Sequence, residues 1–549
     1  MKSVFFTEQG EFRLLWLYIP MVLFHWVFHN WYMPALEIVW DSVFYKTLAS
    51  GLFHITRFDL RDYFPMPPLY PLVLAPAFFA ASYQAVELIH SLINPALYFL
   101  GLFPFYLYAR MIFGVRGSVA LCFLFAAYPG CVFSQWTMSE NLAVPLVLWS
   151  FWLTLRLLGT DTPQVKHGAW LGLALAGILL TRIFLIVFCF AILSWLLYKT
   201  VRCKRDWRPV GAALGVTGFV VFGVWWGLGY ISLPGTSLLY ADFNQESVVA
   251  SIGRFSMVFL AHWTGLWLEG GLLVLPALLT GWGMLRLGYA PVNRTVREGL
   301  ALAVWILLVL TVSVAGFYVK RWGIEPWSVS LRYIFYSNLI ALPLALSGFG
   351  AHAAEDHQQR RRYIFSASVA VLLCAAGFLI PEGWDKLINN HDYAANAPSL
   401  DFLYQFRNEG VWFSFFVLSL LGGGMLAAGR ISRKAGGAIL GVCVLYIQLC
   451  ALDYIATNRF NLYTYFDGKD IHALCAQLEA GNWEGIEIYH GQEIPYLDPN
   501  LHYWINHSST LLPENYAELP RPFLFVGRYA VPGGRVVYDS GGLRVLLFE

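Results

Sequence analysis

Residues 168–198 read GAWLGLALAGILLTRIFLIVFCFAILSWLLY, and Arg182 is the only charged residue among them. A helix needs about 20 predominantly apolar residues to cross the hydrocarbon core of a bilayer. We divide this run at its arginine into two segments, 168–183 and 184–199, each of which can satisfy its backbone polar groups as a helix. Both segments are short, so they form either two spans or a hairpin that crosses the membrane only partly.

The composition of the whole chain supports a membrane protein. Of its 549 residues, 58% are hydrophobic and 13% are charged, whereas soluble domains carry about 25% charged residues. This much apolar surface excludes a soluble globular enzyme, a disordered chain and a disulfide scaffold. The formal net charge of +2 gives no indication of a nucleic-acid partner. The sequence therefore predicts an all-α polytopic membrane protein.

Hydropathy predicts about thirteen transmembrane helices. They lie at 12–32, 93–112, 118–136, 141–158, 168–183, 184–199, 209–231, 262–286, 299–318, 332–350, 363–381, 411–429 and 436–456. Lys and Arg are roughly twice as frequent on one side as on the other, which places the N-terminus inside the cell. Counting residues 67–91 as a span would break this alternation. We therefore expect an interfacial or re-entrant segment there, interrupted by four prolines.

Two regions are expected on the external face. The first is the loop 33–68, which is long enough to indicate a functional role. The second is the tail 457–549, where the composition becomes that of a soluble protein. A helix is predicted at 469–480 and short strands at 485–489, 523–527, 535–539 and 543–548, separated by Gly and Pro turns. The sequence thus predicts a transmembrane domain over 1–456 and a small α+β extracytoplasmic domain over 457–549.

Asp41 is the first candidate catalytic residue. It lies in the stretch 37–53, whose apolar spacing is that of an amphipathic helix at the membrane surface. A carboxylate there could act as a general base toward an acceptor hydroxyl, an effect worth roughly 10²–10⁴-fold in rate. The alternative is an ordinary exposed loop acid.

Three further acids are candidates for a second carboxylate. Asp59 and Asp62 flank Arg61 just before the prolines; they could orient sugar hydroxyls while the arginine pairs with phosphate. The alternative for this group is a solvated, salt-bridged turn. Glu140 begins a predicted span, so it is either a second active-site carboxylate or an acid stabilised by the helix dipole.

Four basic residues could bind a lipid phosphate. Arg182 lies in mid-span, where a charge costs roughly 2.5–3.5 kcal/mol on insertion scales and usually has a partner; the alternative is snorkelling to the surface. Lys320, Arg321 and Arg332 surround an external connection, where they could balance the charge of a departing phosphate or pair with Glu325. The pair His25 and His29 lacks an evident third metal ligand, so no metal site is predicted.

Five sequence elements occur in a recognisable order. An acid with a tyrosine a few residues on (Asp41, Tyr45) precedes PPLYPL at 67–72, which contains Tyr70. It is followed by MSEN at 138–141, by the stretch from GLA at 172–174 to LTR at 180–182, and by Arg332-Tyr333. This pattern resembles the GT-C glycosyltransferases of the family 39 type. That group includes protein O-mannosyltransferases, aminoarabinose transferases that modify lipid A, and transferases that add galacturonic acid to lipopolysaccharide.

The resemblance implies an inverting transfer of a sugar from a polyprenyl-phosphate donor to a lipid, glycan or protein acceptor on the external face. It assigns the role of base to Asp41 and supporting roles to Tyr45, Tyr70 and Tyr333. Family members often have a second acid directly after the first, but here Ser42 occupies that position. The second carboxylate therefore remains open between Asp62, Glu140 and Asp59. No cofactor is required, since arginine and lysine can balance the leaving phosphate, although a divalent metal is compatible with the sequence.

Two other functions fit the same composition. A transporter or flippase for a lipid-linked sugar would need polar residues along a mid-membrane path and broken helices in both halves. Most charges collect at the outer face instead, which favours chemistry there. A non-catalytic envelope assembly factor would use the tail to bind a partner. The expected location is the bacterial inner membrane, with the lipid bilayer as an obligatory partner.

Overall fold

The computed structural model describes residues 14–32, 40–54, 67–80, 83–126, 128, 131, 134, 137–227, 255–256, 259, 263, 274–286, 294–322, 335–350, 369, 474, 486–491, 509–513, 515–527, 531–539 and 543–549. Within these ranges the chain is mostly helical, with a small sheet near the C-terminus. By backbone proximity the chain divides into two compact units. The first unit comprises Met1–Met21, Leu97–Val132 and Leu142–Ile455; the second comprises Val22–Ala96, Phe133–Asn141 and Ala456–Glu549.

The helices are numbered in chain order. They are α1 (Leu15–Tyr32), α2 (Trp40–His54), α3 (Leu69–Leu74), α4 (Tyr83–Phe99), α5 (Leu102–Arg110), α6 (Val115–Ala126), α7 (Glu140–Gly159), α8 (Val165–Thr181), α9 (Ile186–Arg202), α10 (Arg208–Gly227), α11 (Val274–Arg286), α12 (Arg294–Trp322) and α13 (Tyr336–Gly350). A 3₁₀ turn at Ala75–Phe79 follows α3, and another at Ile183–Leu185 precedes α9.

Five helical stretches in the described ranges are long and apolar enough to cross a membrane. They are Ala85–Arg110, Glu140–Gly159, Ile183–Arg202, Arg208–Gly227 and Arg294–Gly316. Shorter apolar helices overlap the predicted spans at 12–32, 118–136, 168–183 and 332–350. The last three predicted spans, from 363 onward, lie outside the described residues except for the helical Val369. The total of about thirteen spans therefore stays a prediction.

One span begins earlier than the sequence predicted. The apolar stretch Ala85–Arg110 starts before the expected boundary at 93, so the last residues of the segment 67–91 belong to α4. The alternation of Lys and Arg across the membrane had excluded residues 67–91 from the predicted spans, and this placed the start of the helix too late. In α4, His90 is buried and Glu87 pairs with Lys46. The proline-rich residues 67–80 form only α3 and a 3₁₀ turn, because proline interrupts a regular helix.

In the first unit, α8 and α10 pack through small residues. A Cβ atom added to Gly172 would lie 2.6 Å from the carbonyl oxygen of Ala213. The hydroxyl of Thr217 donates hydrogen bonds to that same carbonyl and to the carbonyl of Gly172, at 2.7 and 3.1 Å. Close approach through small residues, with hydroxyls bonded to backbone carbonyls, is typical of helix pairs within membranes.

The opposite side of α10 carries large exposed apolar side chains. Phe219 is 80% exposed and Trp226 is 66% exposed. A patch of this kind is rare on soluble proteins but normal for a helix surface that faces lipid. The described part of the first unit therefore fits a multi-pass membrane protein.

The C-terminal strands form one mixed sheet. The strands are β1 (Glu487–His490), β2 (Ser509–Leu511), β3 (Phe523–Gly527), β4 (Arg535–Asp539) and β5 (Arg544–Phe548), in the order β2-β1-β3-β5-β4. The pairs β1–β2 and β1–β3 are parallel, while β5 is antiparallel to β3 and β4. Phe523 stacks on Phe548 at 4.6 Å in the centre of one face. The four strands predicted from the sequence are present, and β2 was missed.

Candidate active site

Helix α2 carries Asp41 in its first turn, as the amphipathic spacing of residues 37–53 predicted. The side chain of this aspartate lies outside the described part of the structure. Its neighbours on α2 are described: Ser42 and all five residues from Tyr45 to Ala49 are buried. Four of these six residues are polar, so α2 is held by specific hydrogen bonds and not by apolar contact alone.

Two hydrogen bonds join α2 to the segment that leads into α7. The hydroxyl of Ser42 donates to the backbone carbonyl of Thr137 at 3.0 Å, and the hydroxyl of Tyr45 donates to Ser139 Oγ at 2.9 Å. Because Asp41 directly precedes Ser42, these bonds bring its backbone close to the N-terminal end of α7.

Glu140 is the first residue of α7 and is fully buried. The hydroxyl of Ser139 donates toward Glu140 Oε2 at 3.4 Å, so a directed chain of hydrogen bonds runs from Tyr45 through Ser139 to this carboxylate. A negative charge in the first turn is also favoured by the helix dipole. Glu140 therefore lies in the first turn of α7, as its position in the sequence suggested, and one residue from the contact that α2 makes.

The proline-rich element reaches the same segment. The hydroxyl of Tyr70 on α3 donates to Asn94 Oδ1 at 2.7 Å, and the amide of this asparagine donates to Thr137 Oγ1 at 3.2 Å. The rings of Tyr45 and Tyr70 meet edge to face, with centroids 5.1 Å apart. Residues 41–45, Tyr70 and 137–140, which are far apart in sequence, thus lie together within the second unit.

One charged pair in this region was not predicted from the sequence. Lys46 Nζ lies 2.7 Å from Glu87 Oε2 on α4, and the lysine side chain is only 1% exposed. The two residues are 41 positions apart, so no local spacing indicates the pair. A lysine on the buried face of an amphipathic helix is the one signal in the sequence that could have suggested a partner.

Arg182 lies in the first unit at a break between helices. Its backbone is extended where α8 ends, and the 3₁₀ turn Ile183–Leu185 follows before α9. The residue is 6% exposed, so its side chain is enclosed by the protein. The structure therefore confirms an interruption in the apolar run at the arginine.

The remaining predicted cations and acids are not placed. Lys320 and Arg321 fall within the backbone of α12, but their side chains lie outside the described part. Asp59, Arg61, Asp62, Arg332 and Tyr333 lie outside the described residues.

The histidine pair of the first helix does not form a described metal site. A ring nitrogen of His25, Nδ1, lies 2.9 Å from the hydroxyl of Ser134, and the histidine is buried. Within the ranges given above, no three His, Cys, Asp or Glu side chains are grouped so that they could hold a metal ion.

Comparison with solved structures identifies the fold. The chain superposes on the crystal structure of ArnT from Cupriavidus metallidurans bound to undecaprenyl phosphate, with a TM-score of 0.57 and 14% identity over 97% of this chain and 98% of that one. The chain has the fold of ArnT. The apo form of ArnT matches with a TM-score of 0.54 and 14% identity, over 97% of each chain.

The ArnT match extends over nearly the whole length of both proteins, although no family model and no curated protein sequence matches the chain. An oligosaccharyltransferase from Archaeoglobus fulgidus gives a TM-score of 0.40 and 11% identity, over 91% of this chain and 64% of that one. The likeness to ArnT, at 14% identity, is a likeness of fold.

Proposed function

We propose that the protein is a membrane glycosyltransferase that moves a sugar from a polyprenyl-phosphate donor to a lipid, glycan or protein acceptor. The observation that carries this proposal is the convergence, in a chain with the ArnT fold, of α2, Tyr70 and the start of α7. These are three of the elements on which the sequence resemblance rests. A flippase or an assembly factor gives no reason for them to meet.

In the proposed reaction, the carboxylate of Asp41 accepts the proton of an acceptor hydroxyl. The hydroxyl oxygen forms a bond to the anomeric carbon while the bond from that carbon to the phosphate oxygen breaks, which inverts the configuration. The lipid phosphate leaves with both electrons of that bond. General-base catalysis of this kind contributes roughly 10²–10⁴-fold.

Glu140 is the second carboxylate of the proposed site. Glu140 lies beside Ser139, whose hydroxyl accepts a hydrogen bond from Tyr45 on the helix that carries Asp41. This position supports Glu140 over Asp59 and Asp62. Its proposed role is to orient the acceptor hydroxyl, which requires both carboxylates to face the same substrate.

Arg182, Lys320, Arg321 and Arg332 are proposed to balance the charge of the leaving phosphate. The burial of Arg182 at a helix break supports its part in this, since a buried cation in an apolar region requires an anionic partner or a dense set of hydrogen bonds. Because these cations can stabilise the departing charge, the proposed transfer requires no cofactor.

The proposed setting is the bacterial inner membrane. Residues 1–456 would form the catalytic transmembrane domain, with the loop 33–68 and the site on the extracytoplasmic side. Residues 457–549 would form a domain that shapes the acceptor site.

Mass spectrometry of envelope glycolipids and glycoproteins from a deletion strain tests this function. We expect one sugar to be missing from one acceptor and to return on complementation with the wild-type gene. An unchanged envelope, together with movement of intact lipid-linked sugar across vesicles containing the purified protein, would contradict the proposal and support a flippase.

A further inference from the structure

The buried ion pair between Lys46 and Glu87 lies on the helix that carries Asp41 but has no part in the proposed chemistry. The ammonium and carboxylate groups are 2.7 Å apart, the lysine side chain is almost fully buried, and the glutamate is partly exposed. Removing a lysine from water is strongly unfavourable unless it is paired. An apolar side chain at position 46 would fill the same buried place without that penalty, so stability alone does not account for the pair.

The pair adds a charged contact between α2 and a further element. Ser42 and Tyr45 both contact the segment 137–139, and the ring of Tyr45 also meets Tyr70 on α3. Lys46 contacts α4. This contact further restricts the orientation of the end of α2 that carries Asp41.

Helix α4 is itself joined to the same segment. The amide of Asn94, seven residues after Glu87 on α4, donates to Thr137 Oγ1. The three elements α2, 137–139 and α4 are therefore connected in a closed ring by polar contacts, and the Lys46–Glu87 pair is the link that closes it. The pair fixes direction more narrowly than apolar contact does, because it is also a hydrogen bond from Lys46 Nζ to Glu87 Oε2, and a hydrogen bond weakens steeply as its geometry departs from the ideal.

We infer that Lys46 and Glu87 are positioning residues that set the placement of Asp41 relative to the start of α7. This inference rests on the proposed function. Because misplacing a catalytic group by about 1 Å can lower a rate by roughly 10²-fold, loss of the pair should appear in kcat, while KM for a donor held by other residues stays constant.

The test is the double variant Lys46→Met/Glu87→Leu, which removes both charges together and leaves no unpaired one. The matched control is Lys199→Met/Glu298→Leu, which removes a partly buried pair of the same 2.7 Å length between α9 and α12. Initial rates are measured in proteoliposomes with the undecaprenyl-phosphate-linked sugar that the wild-type protein uses. We expect kcat to fall about 10- to 100-fold in the first variant, with donor KM within about twofold, and kcat of the control to stay near wild type.

A wild-type kcat in the folded Lys46→Met/Glu87→Leu variant overturns the inference. An equal fall of kcat in this variant and in the control variant also overturns it. If that variant does not fold, Lys46→Arg provides the test, since it keeps the charge and changes the geometry. Reduced kcat at an unchanged unfolding temperature supports positioning, and wild-type kcat opposes it. If the wild-type protein transfers no sugar, the proposed function fails; if it transfers sugar and the pair variants match it, only this inference fails.

Discussion

Removing the hydroxyl of Tyr45 tests whether α2 and the start of α7 are held together as described. Tyr45→Phe deletes one oxygen and keeps the ring that meets Tyr70 at 5.1 Å. The lost bond to Ser139 is buried, uncharged and 2.9 Å long. A bond of this kind contributes about 1 kcal/mol to stability, within a range of roughly 0.5–1.5 kcal/mol. We expect the free energy of unfolding to fall by that amount.

A double-mutant cycle separates this bond from its surroundings. Ser139→Ala should be more destabilising than Tyr45→Phe, because it removes the acceptor of the tyrosine hydroxyl and also the donor to Glu140. The two changes should not add: we expect a coupling energy of about 1 kcal/mol. The assay is reversible unfolding in mixed micelles, titrated with a denaturing detergent and followed by tryptophan fluorescence. Effects that add to within about 0.3 kcal/mol would refute the contact.

Two further predictions concern the first unit. Gly172→Leu should lower the unfolding temperature markedly, because even a Cβ there would lie 2.6 Å from the Ala213 carbonyl oxygen; a thermal melt equal to wild type would show that α8 and α10 do not approach so closely. The guanidinium of Arg294, hydrogen-bonded to the Asp161 carboxylate at 2.7 Å, lowers the pKa of that carboxyl. A lowered pKa gives stability that is present above the usual carboxyl pKa of about 4 and is lost as the pH falls through the lowered value. The small stability difference between wild type and Asp161→Asn should therefore be seen at pH 7 and shrink as the pH falls below the usual carboxyl pKa; a difference that grows on acidification would be inconsistent with this pair.

Much of the local structure could be predicted from the sequence because it depends on local periodicity. The spacing in 37–53 predicted α2, and the apolar runs at 141–158 and 209–231 predicted α7 and α10. Short runs between Gly and Pro turns predicted β1 and β3 to β5. Strand β2 has the sequence Ser509-Thr510-Leu511. It was missed because it is short and mostly polar, and because it pairs in parallel with a strand that is distant in the sequence.

The candidate site could be predicted only in part. The order of the motifs indicated that Asp41, Tyr45, Tyr70 and Glu140 belong to one function, and the structure brings their elements into one unit. The contacts that hold them depend on pairs separated by 24 to 95 residues, which no local pattern specifies. Asn94 was missed for this reason, since its role exists only after α3, α4 and the segment 137–139 have packed.

The most direct test of the central claim is sugar transfer by Asp41→Asn, which keeps the size of the side chain and removes its basicity. Purified wild-type and variant proteins are compared in proteoliposomes for transfer from the lipid-linked donor and for binding of undecaprenyl phosphate, with the exposed Asp161→Asn as a control. We predict a loss of transfer of roughly 10²–10⁴-fold in Asp41→Asn, with undecaprenyl phosphate binding retained, and normal transfer in the control. Near-normal turnover by folded Asp41→Asn would contradict the account.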